Sequence, residues 1–162
     1  MKQTYLDTIL LIERLHRQFL EVVKGELDRL GIEDINNVQS LILSNIGRED
    51  LTVGELTHRG YYLGSNVSYN VKKMVENGYL VQERSAHDRR SVRIRVSDKG
   101  LVLCEKIAAL HDRHLAAMAG GPLTEPVLAE VTKTLRQLER FWSDDLAWGA
   151  RQGGLQRLSP AA

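Results

Sequence analysis

The sequence predicts a mostly helical protein with one small β-hairpin, a fold of the α+β class. Apolar residues recur at spacings of three and four through most of the 162 residues, which is the helical pattern. One stretch alternates instead: Val92-Arg93-Ile94-Arg95-Val96 has the period of two that is typical of a strand with one buried face. Glycines follow the helical stretches, where helix C-caps favour them. The predicted order is three helices, a turn, a fourth helix, the hairpin and two more helices.

The first predicted helix, residues 4–30, is apolar on more than one side. Its main stripe ends directly before Gly31, and further apolar residues widen the face beyond that stripe. A helix with so wide an apolar face is expected to be covered partly by something other than its own domain. The residues of the stripe are Ile12, Leu15, Phe19, Val22, Val23, Leu27 and Leu30.

Two short helices are predicted between residues 36 and 59. Asn36 or Asn37 provides the N-cap of the first, and Gly47 ends it. The spacing Thr52-Val53-Gly54-Glu55 is that of a capping box, so a second helix begins there and reaches about Arg59.

The fourth helix follows a turn at 60–64 and runs from Ser65 or Gly64 to Asn77, with two different faces. On a helical wheel Val67, Val71, Met74 and Val75 cluster on a face that packs inward. On the other side, short hydroxyl and amide groups suit base edges, and lysines suit phosphates. An ordinary solvated face would show the same pattern, so this helix alone does not decide for DNA. The candidate DNA-contacting residues here are Ser65, Asn66, Ser68, Tyr69, Lys72 and Lys73.

The hairpin is the most basic part of a chain whose net charge is only +1. From Arg84 to Lys99, six Lys and Arg residues stand against two acids. A narrow basic ribbon suits the phosphate backbone and the minor groove of DNA. We expect Arg90, at the tip, to enter the minor groove, and Asp88 to orient Arg90 or Arg89 by a charge-assisted hydrogen bond.

The other arginines of the hairpin are expected to give supporting phosphate contacts at most. They are Arg84, Arg93 and Arg95, and one or two of them are expected to pair with Glu83 or Asp98 instead.

Two long helices complete the chain. Ser97 or Asp98 caps the first, which runs from about Lys99 towards Ala119. Thr124 caps the last, whose apolar seam from Leu128 to Trp142 has nearly coiled-coil spacing. The tail from Arg151 to Ala162 is expected to be frayed.

The composition and the absence of familiar motifs exclude several classes of protein. The single Cys104 cannot form an intrachain disulfide, and no segment has the length or pattern of a membrane span or a signal peptide, so we expect a cytoplasmic protein without membrane contact. The sequence has no phosphate loop, nucleophile-base pair or complete metal motif. It therefore predicts neither an enzyme nor a cofactor.

At Asp88-Arg89-Arg90-Ser91-Val92-Arg93-Ile94-Arg95-Val96-Ser97-Asp98-Lys99-Gly100 the chain resembles the wing of the MarR family of winged helix-turn-helix regulators. Residues 35–100 fall in the family's register, although Gly60-Tyr61-Tyr62 departs from its usual turn. The resemblance implies a homodimer that binds a pseudo-palindromic operator. It also implies that a small-molecule, oxidant or metal signal relieves this DNA binding. It also assigns DNA contacts to Arg90 and to the six candidate residues of the fourth helix.

The function expected from these observations is a ligand-responsive repressor that binds double-stranded DNA. The expected division is an N-terminal dimerisation helix (1–34), a winged helix-turn-helix domain (35–100), C-terminal dimerisation helices (101–150) and a flexible tail (151–162). An effector is expected between the dimerisation helices and the winged domain, with Tyr61 and Tyr62 nearby.

Two alternatives stay open: a winged helix that binds other proteins, and a metal- or oxidant-sensing regulator of the same fold. Cys104 lies among apolar residues, which favours an unreactive thiol. His111 and His114 have no further ligands nearby in sequence, which favours solvated histidines.

Overall fold

The computed structural model describes residues 1–58, 64–84 and 92–156. By internal packing the chain divides into two units, Met1–Arg113 and His114–Ala162. The elements, in order, are α1 (Lys2–Arg29), α2 (Asn37–Ile46), β1 (Asp50–Thr52), α3 (Val53–His58), α4 (Gly64–Glu76), β2 (Leu80–Arg84), β3 (Val92–Val96), α5 (Asp98–Met118) and α6 (Glu125–Gln156).

The helix ends lie where the capping residues predicted them. Asn36 caps α2, and its side chain accepts a hydrogen bond from the Gln39 amide while Gln39 accepts one from the Asn36 amide. Thr52 and Glu55 make the corresponding reciprocal bonds at α3. Gly31, Gly47 and Gly78 all adopt positive φ after helices, a conformation that costs glycine little.

The sheet has three antiparallel strands in the order β1-β3-β2, so the prediction of a two-stranded hairpin was incomplete. Leu51 of β1 and Gln82 of β2 both lie opposite Ile94 of the central strand. β1 is only three residues long, too short to show an alternating pattern. It forms because β3 offers a second edge whose backbone groups need partners.

The core of the first unit is formed by residues from all five helices α1, α2, α3, α4 and α5 and from the sheet. Val67, Val71 and Met74 of α4 are buried in it and Val75 is partly buried, as the wheel predicted. Burial of each such side chain contributes roughly 1.5–3 kcal/mol. The face of α4 opposite this core is therefore held outward. Other fully buried members are Val23, Ile42, Leu43, Ile46, Leu56, Ile94 and Ile107.

A buried carboxylate of this unit is paired with two partly exposed arginines. The Glu26 carboxylate of α1 is only 5% exposed and lies 2.7 Å from Nη2 of Arg29 and 2.7 Å from Nη2 of Arg113 on α5. The hydrogen bond from Arg29 lowers the pKa of Glu26 to about 2. Burial of the carboxylate opposes this shift, and the hydrogen bond from Arg113 adds to it. The cluster ties α1 to α5 as long as Glu26 is ionised.

In the second unit, α6 begins after Thr124, the predicted cap, and continues to Gln156. The flexible tail expected for residues 151–162 stays a prediction. Gly153 and Gly154 each lower helix propensity by about 1 kcal/mol relative to alanine, but the favourable residues on both sides offset this. Residues 157–162 lie outside the described part of the chain, and none of the helices in the described part is apolar over the length that a bilayer requires.

Candidate nucleic-acid interface

The outward face of α4 carries most of the predicted DNA-contacting side chains. Asn66, Ser68, Tyr69 and Lys72 are exposed, and Tyr69 keeps 61% of its surface free. Ser65 lies in the first turn of this helix. Because the opposite face is locked into the core, these polar groups project together from a rigid element, as contacts with base edges require.

The two lysines of α4 differ in how firmly they are held. Nζ of Lys73 lies 2.8 Å from Oε2 of Glu76, and this hydrogen bond raises the pKa of Lys73 and lowers that of Glu76. Nζ of Lys72 lies 3.9 Å from the same carboxylate, and its side chain is 75% exposed. A phosphate that approaches Lys73 must compete with Glu76, whereas Lys72 can turn towards a phosphate with little loss.

The two arginines of β3 are engaged in ion pairs across the sheet. Arg95 Nη2 lies 3.2 Å from Glu83 Oε1, one of the two partners predicted for these arginines. Arg93 Nε lies 3.0 Å from Asp50 Oδ1, and Arg93 also donates to the Asp50 carbonyl. That partner was not predicted because β1 was not predicted. Both arginines therefore already have acidic partners on neighbouring strands of the sheet.

The tip of the wing lies outside the described residues. Arg84 pairs with Val92 as the last pair of the β2–β3 ladder, and residues 85–91 connect the two strands. Asp88, Arg89 and Arg90 fall in this connection, so the roles assigned to them stay predictions. The same holds for Tyr61 and Tyr62, because residues 59–63 also lie outside the described part of the chain.

A buried amide pair beneath α4 was missed in the sequence. Gln39 of α2 is 6% exposed and Asn70 of α4 is 9% exposed. Gln39 Nε2 donates to Asn70 Oδ1 at 3.2 Å, and Asn70 Nδ2 donates to the Asn66 carbonyl at 2.8 Å. The wheel could have found Asn70, since it lies three residues after Val67 and four before Met74, inside the inward stripe.

A second polar cluster fixes the other end of α4, where the chain enters β2. Asp34 accepts hydrogen bonds from the Tyr79 hydroxyl and from Lys99, and its carbonyl accepts one from Asn77. The hydrogen bond from Lys99 and then that from Tyr79 lower the pKa of Asp34, and burial raises that of Tyr79. Lys99 Nζ also lies 4.1 Å from the centre of the Tyr79 ring. The cluster joins the loop after α1 to the ends of α4 and the start of α5.

The predicted sensor residues lie in ordinary surroundings. Cys104 is half-buried in α5, and this burial raises the pKa of its thiol. The ring of His111 stacks on Phe19 with a centroid distance of 6.1 Å. Within residues 1–58, 64–84 and 92–156, no three His, Cys, Asp or Glu side chains group closely enough to hold a metal ion.

Comparison with known proteins shows both sequence and structural relatives. A model of the MarR family matches residues 33–91. The exopolysaccharide II synthesis transcriptional activator ExpG of Rhizobium meliloti (strain 1021) is 36% identical over 146 residues, which cover 90% of this chain and 75% of that protein.

Two similar solved structures contain DNA. FabT of Streptococcus pneumoniae in complex with DNA has a TM-score of 0.69 at 20% identity, with 86% of this chain and 98% of that chain covered. A mutant of MarR from E. coli complexed with operator DNA has a TM-score of 0.67 at 19% identity, with 83% and 95% covered. At such identities these structures show a shared fold.

Proposed function

Because the chain belongs to the MarR family of transcriptional regulators, we propose that it binds a pseudo-palindromic DNA operator as a homodimer whose affinity a small molecule controls. Its family consists of regulators and not of enzymes. The observation that carries the proposal is the exposed polar face of α4, held outward by a buried apolar face and placed directly before the wing.

In this proposal α4 enters the major groove and the wing reaches the adjacent minor groove. Small polar groups stand near the N-terminal end of α4, the end that enters the groove in helix-turn-helix proteins, and lysines follow about two turns later. Arg93 and Arg95 form ion pairs with Asp50 and Glu83, so we assign the minor-groove contact to Arg90. The residues assigned to phosphate contacts are Lys72, Lys73, Arg84 and Arg89. FabT and MarR share this fold and were solved with DNA, which supports double-stranded DNA as the partner.

Exposed apolar side chains support the homodimer. In the first unit, α1 leaves Leu10, Leu11 and Leu15 exposed along its length. In the second unit, α6 exposes Val131 and Phe141 among others. Exposed apolar side chains on long helices are typical of an interface, and a two-fold axis would let each copy cover the other. A dimer also doubles the number of base pairs that can be recognised.

A groove beside α1 and α2 supports control by a small molecule. It measures about 800 Å³ and is lined by Leu20 and Val22 together with five polar residues, Arg14, Arg17, Gln18, Glu21 and Asn37. A groove that combines apolar side chains with polar groups suits a small organic ligand, and the two arginines outnumber the one acid, which favours an organic anion. Titration of the DNA complex with aromatic carboxylates tests this part of the proposal.

The direct test is a mobility-shift titration of the chain on the DNA upstream of its own gene, across a salt series. We expect strongly salt-dependent binding, and replacement of Arg90 by alanine to weaken it by about 1–3 kcal/mol, roughly 5- to 150-fold. Lys133→Ala on α6 is the matched control, because it removes one exposed positive charge that pairs only loosely with Glu130.

Two outcomes would contradict the proposal at different levels. Unchanged affinity of a folded Arg90→Ala protein removes that residue from the DNA site. Absence of salt-dependent DNA binding by the unaltered protein refutes the proposed function and favours the alternative of a winged helix that binds other proteins.

The direction of regulation follows from where the operator lies relative to the promoter. Repression, which the sequence analysis expected, requires the dimer to block the polymerase. The relative with 36% identity is named an activator, and this favours activation as a second candidate. In vitro transcription from the upstream DNA, with and without the protein, distinguishes the two by an increase or a decrease in transcript.

A further inference from the structure

We propose that a chain of hydrogen bonds, which runs from the Asn36 backbone through the buried side-chain amides of Gln39 and Asn70, fixes the rotation of α4 about its own axis and so determines how well the protein discriminates between DNA sequences. The inference rests on the proposed function, since it concerns how α4 presents its outward face to DNA. Asn70 and Gln39 are positioning residues here: they lie beneath the interface and act through Asn66, Tyr69 and Lys73 above them.

The hydrogen bonds of this chain allow only one arrangement. The backbone N–H of Asn36 can only donate, so it must face Oε1 of Gln39, at 3.1 Å. The amide nitrogen of Gln39 then faces Asn70, whose Oδ1 accepts at 3.2 Å. Nδ2 of Asn70 is left to donate to the Asn66 carbonyl, which can only accept, at 2.8 Å. Backbone groups at both ends therefore fix the orientation of both side-chain amides.

Burial gives this arrangement its energetic weight. Both side chains are almost wholly shielded, and Val67 and Val71 flank Asn70 in the buried face. A buried amide that loses its partner costs about 1–3 kcal/mol. The apolar contacts of Val67 and Val71 are non-directional and tolerate small rotations, whereas the amide chain does not. The pair therefore selects one rotational setting of α4 among those that the core alone would accept.

The size of the effect at the surface follows from helix geometry. Side-chain ends lie about 5–6 Å from the axis of an α-helix, so a rotation of ~10° moves them by about 1 Å. A hydrogen bond to a base edge has a tolerance of roughly 0.5 Å in length. Long, exposed lysines can follow a phosphate over such a distance, but Asn66 and Tyr69 cannot follow a base edge as easily. Loss of the amide chain should therefore reduce discrimination more than overall affinity.

The test uses binding-site selection from a random duplex library with the full chain. The main variant combines Gln39→Met with Asn70→Leu, which replaces both polar partners by apolar groups of similar size and should cost little stability beyond the capping hydrogen bond that Gln39 accepts from the Asn36 amide. We expect the preference for the selected duplex over a scrambled one to fall roughly tenfold. The salt dependence should stay the same, because the lysines and arginines are intact. Gln137→Met, at an exposed position of α6, is the control for loss of an amide alone.

A second variant breaks the same hydrogen bonds without changing the size of the side chain, and its circular dichroism spectrum must match that of the unaltered protein before its binding is compared. Asn70→Asp keeps the shape of the side chain but turns an acceptor towards the Asn66 carbonyl, so the chain of hydrogen bonds cannot close. Its added charge weakens binding to both duplexes alike, and the ratio of the two affinities isolates discrimination.

The outcomes separate this inference from the function on which it rests. If the unaltered protein selects a consensus and the folded variants discriminate less, the inference stands. If the variants select the same consensus with the same preference, it is overturned and the proposed function is untouched. If the unaltered protein selects no consensus, sequence-specific binding is refuted and the inference falls with it.

Discussion

Replacing Gly100 by alanine tests how closely α5 is pressed against the start of the wing. In an open helix this change stabilises by about 1 kcal/mol, because glycine loses more backbone freedom on folding. At Gly100 a Cβ would overlap the carbonyl oxygen of Tyr79 and lie 2.6 Å from Cγ1 of Val96. The Ser97 amide donates a hydrogen bond to the same carbonyl, so the oxygen cannot move aside without losing it.

The magnitude follows from these two opposing terms. Overpacking of a close contact costs typically 1–3 kcal/mol, and backbone that is held by hydrogen bonds belongs at the upper end. After subtraction of the helix-propensity gain, we expect Gly100→Ala to destabilise the fold by about 2 kcal/mol. The matched control is Gly54→Ala in α3, where the nearest atom to a Cβ is Thr52 Oγ1 at 3.8 Å. That change should stabilise by about 0.5–1 kcal/mol.

Urea unfolding followed by circular dichroism measures both variants, at one fixed protein concentration because the proposed dimer links stability to concentration. The expected result is a midpoint lowered by Gly100→Ala and raised slightly by Gly54→Ala. If both changes raise the midpoint equally, α5 does not pack closely against Tyr79.

Three further predictions concern charge and reactivity. The pKa of Glu26 is about 2 in the fold and 4.5 normally, so its ion cluster contributes on the order of 3 kcal/mol to the free energy of unfolding above pH 4.5. This contribution is lost as the pH falls towards 2. The free energy of unfolding should therefore depend less on acid pH in Glu26→Gln, and an unchanged dependence would contradict the cluster. Cys104 should react with iodoacetamide at pH 7.5 more slowly than free cysteine, and rapid alkylation would show that burial does not protect it. Lys72→Ala should lower the slope of log K against log salt by about 1, whereas Lys73→Ala should lower it by less; equal effects would mean that Glu76 does not hold Lys73.

The sequence predicted the helices well because their ends are encoded locally. Asn36 and Gln39 are three residues apart, and Thr52 and Glu55 have the same spacing, so one short window contains the whole cap. The inward face of α4 was predictable for the same reason, since Val67, Val71 and Met74 repeat within two turns.

The contacts that organise the candidate interface were not predictable, because they join distant parts of the chain. β1 and β3 pair across more than forty residues, and the ion pair between Asp50 and Arg93 exists only through that pairing. Gln39 and Asn70 are separated by 31 residues. A wheel places Asn70 on the inward face but cannot name the partner that makes its burial tolerable. The DNA-contacting roles themselves remain predictions, since exposure and charge permit them without testing them.

The cluster around Asp34 has a consequence for how the protein folds. Its hydrogen bonds to Tyr79 and Lys99 close loops of 45 and 65 residues, and the bond from Asn77 closes one of 43. Contacts of such long range form only after the entropy of the intervening chain has been lost, which slows folding relative to a simple helical bundle. Once formed, they bind the end of α4, the start of β2 and the first turn of α5 into one cooperative unit. The backbone amides of these three segments should then exchange with solvent through a shared opening event rather than by separate local fraying.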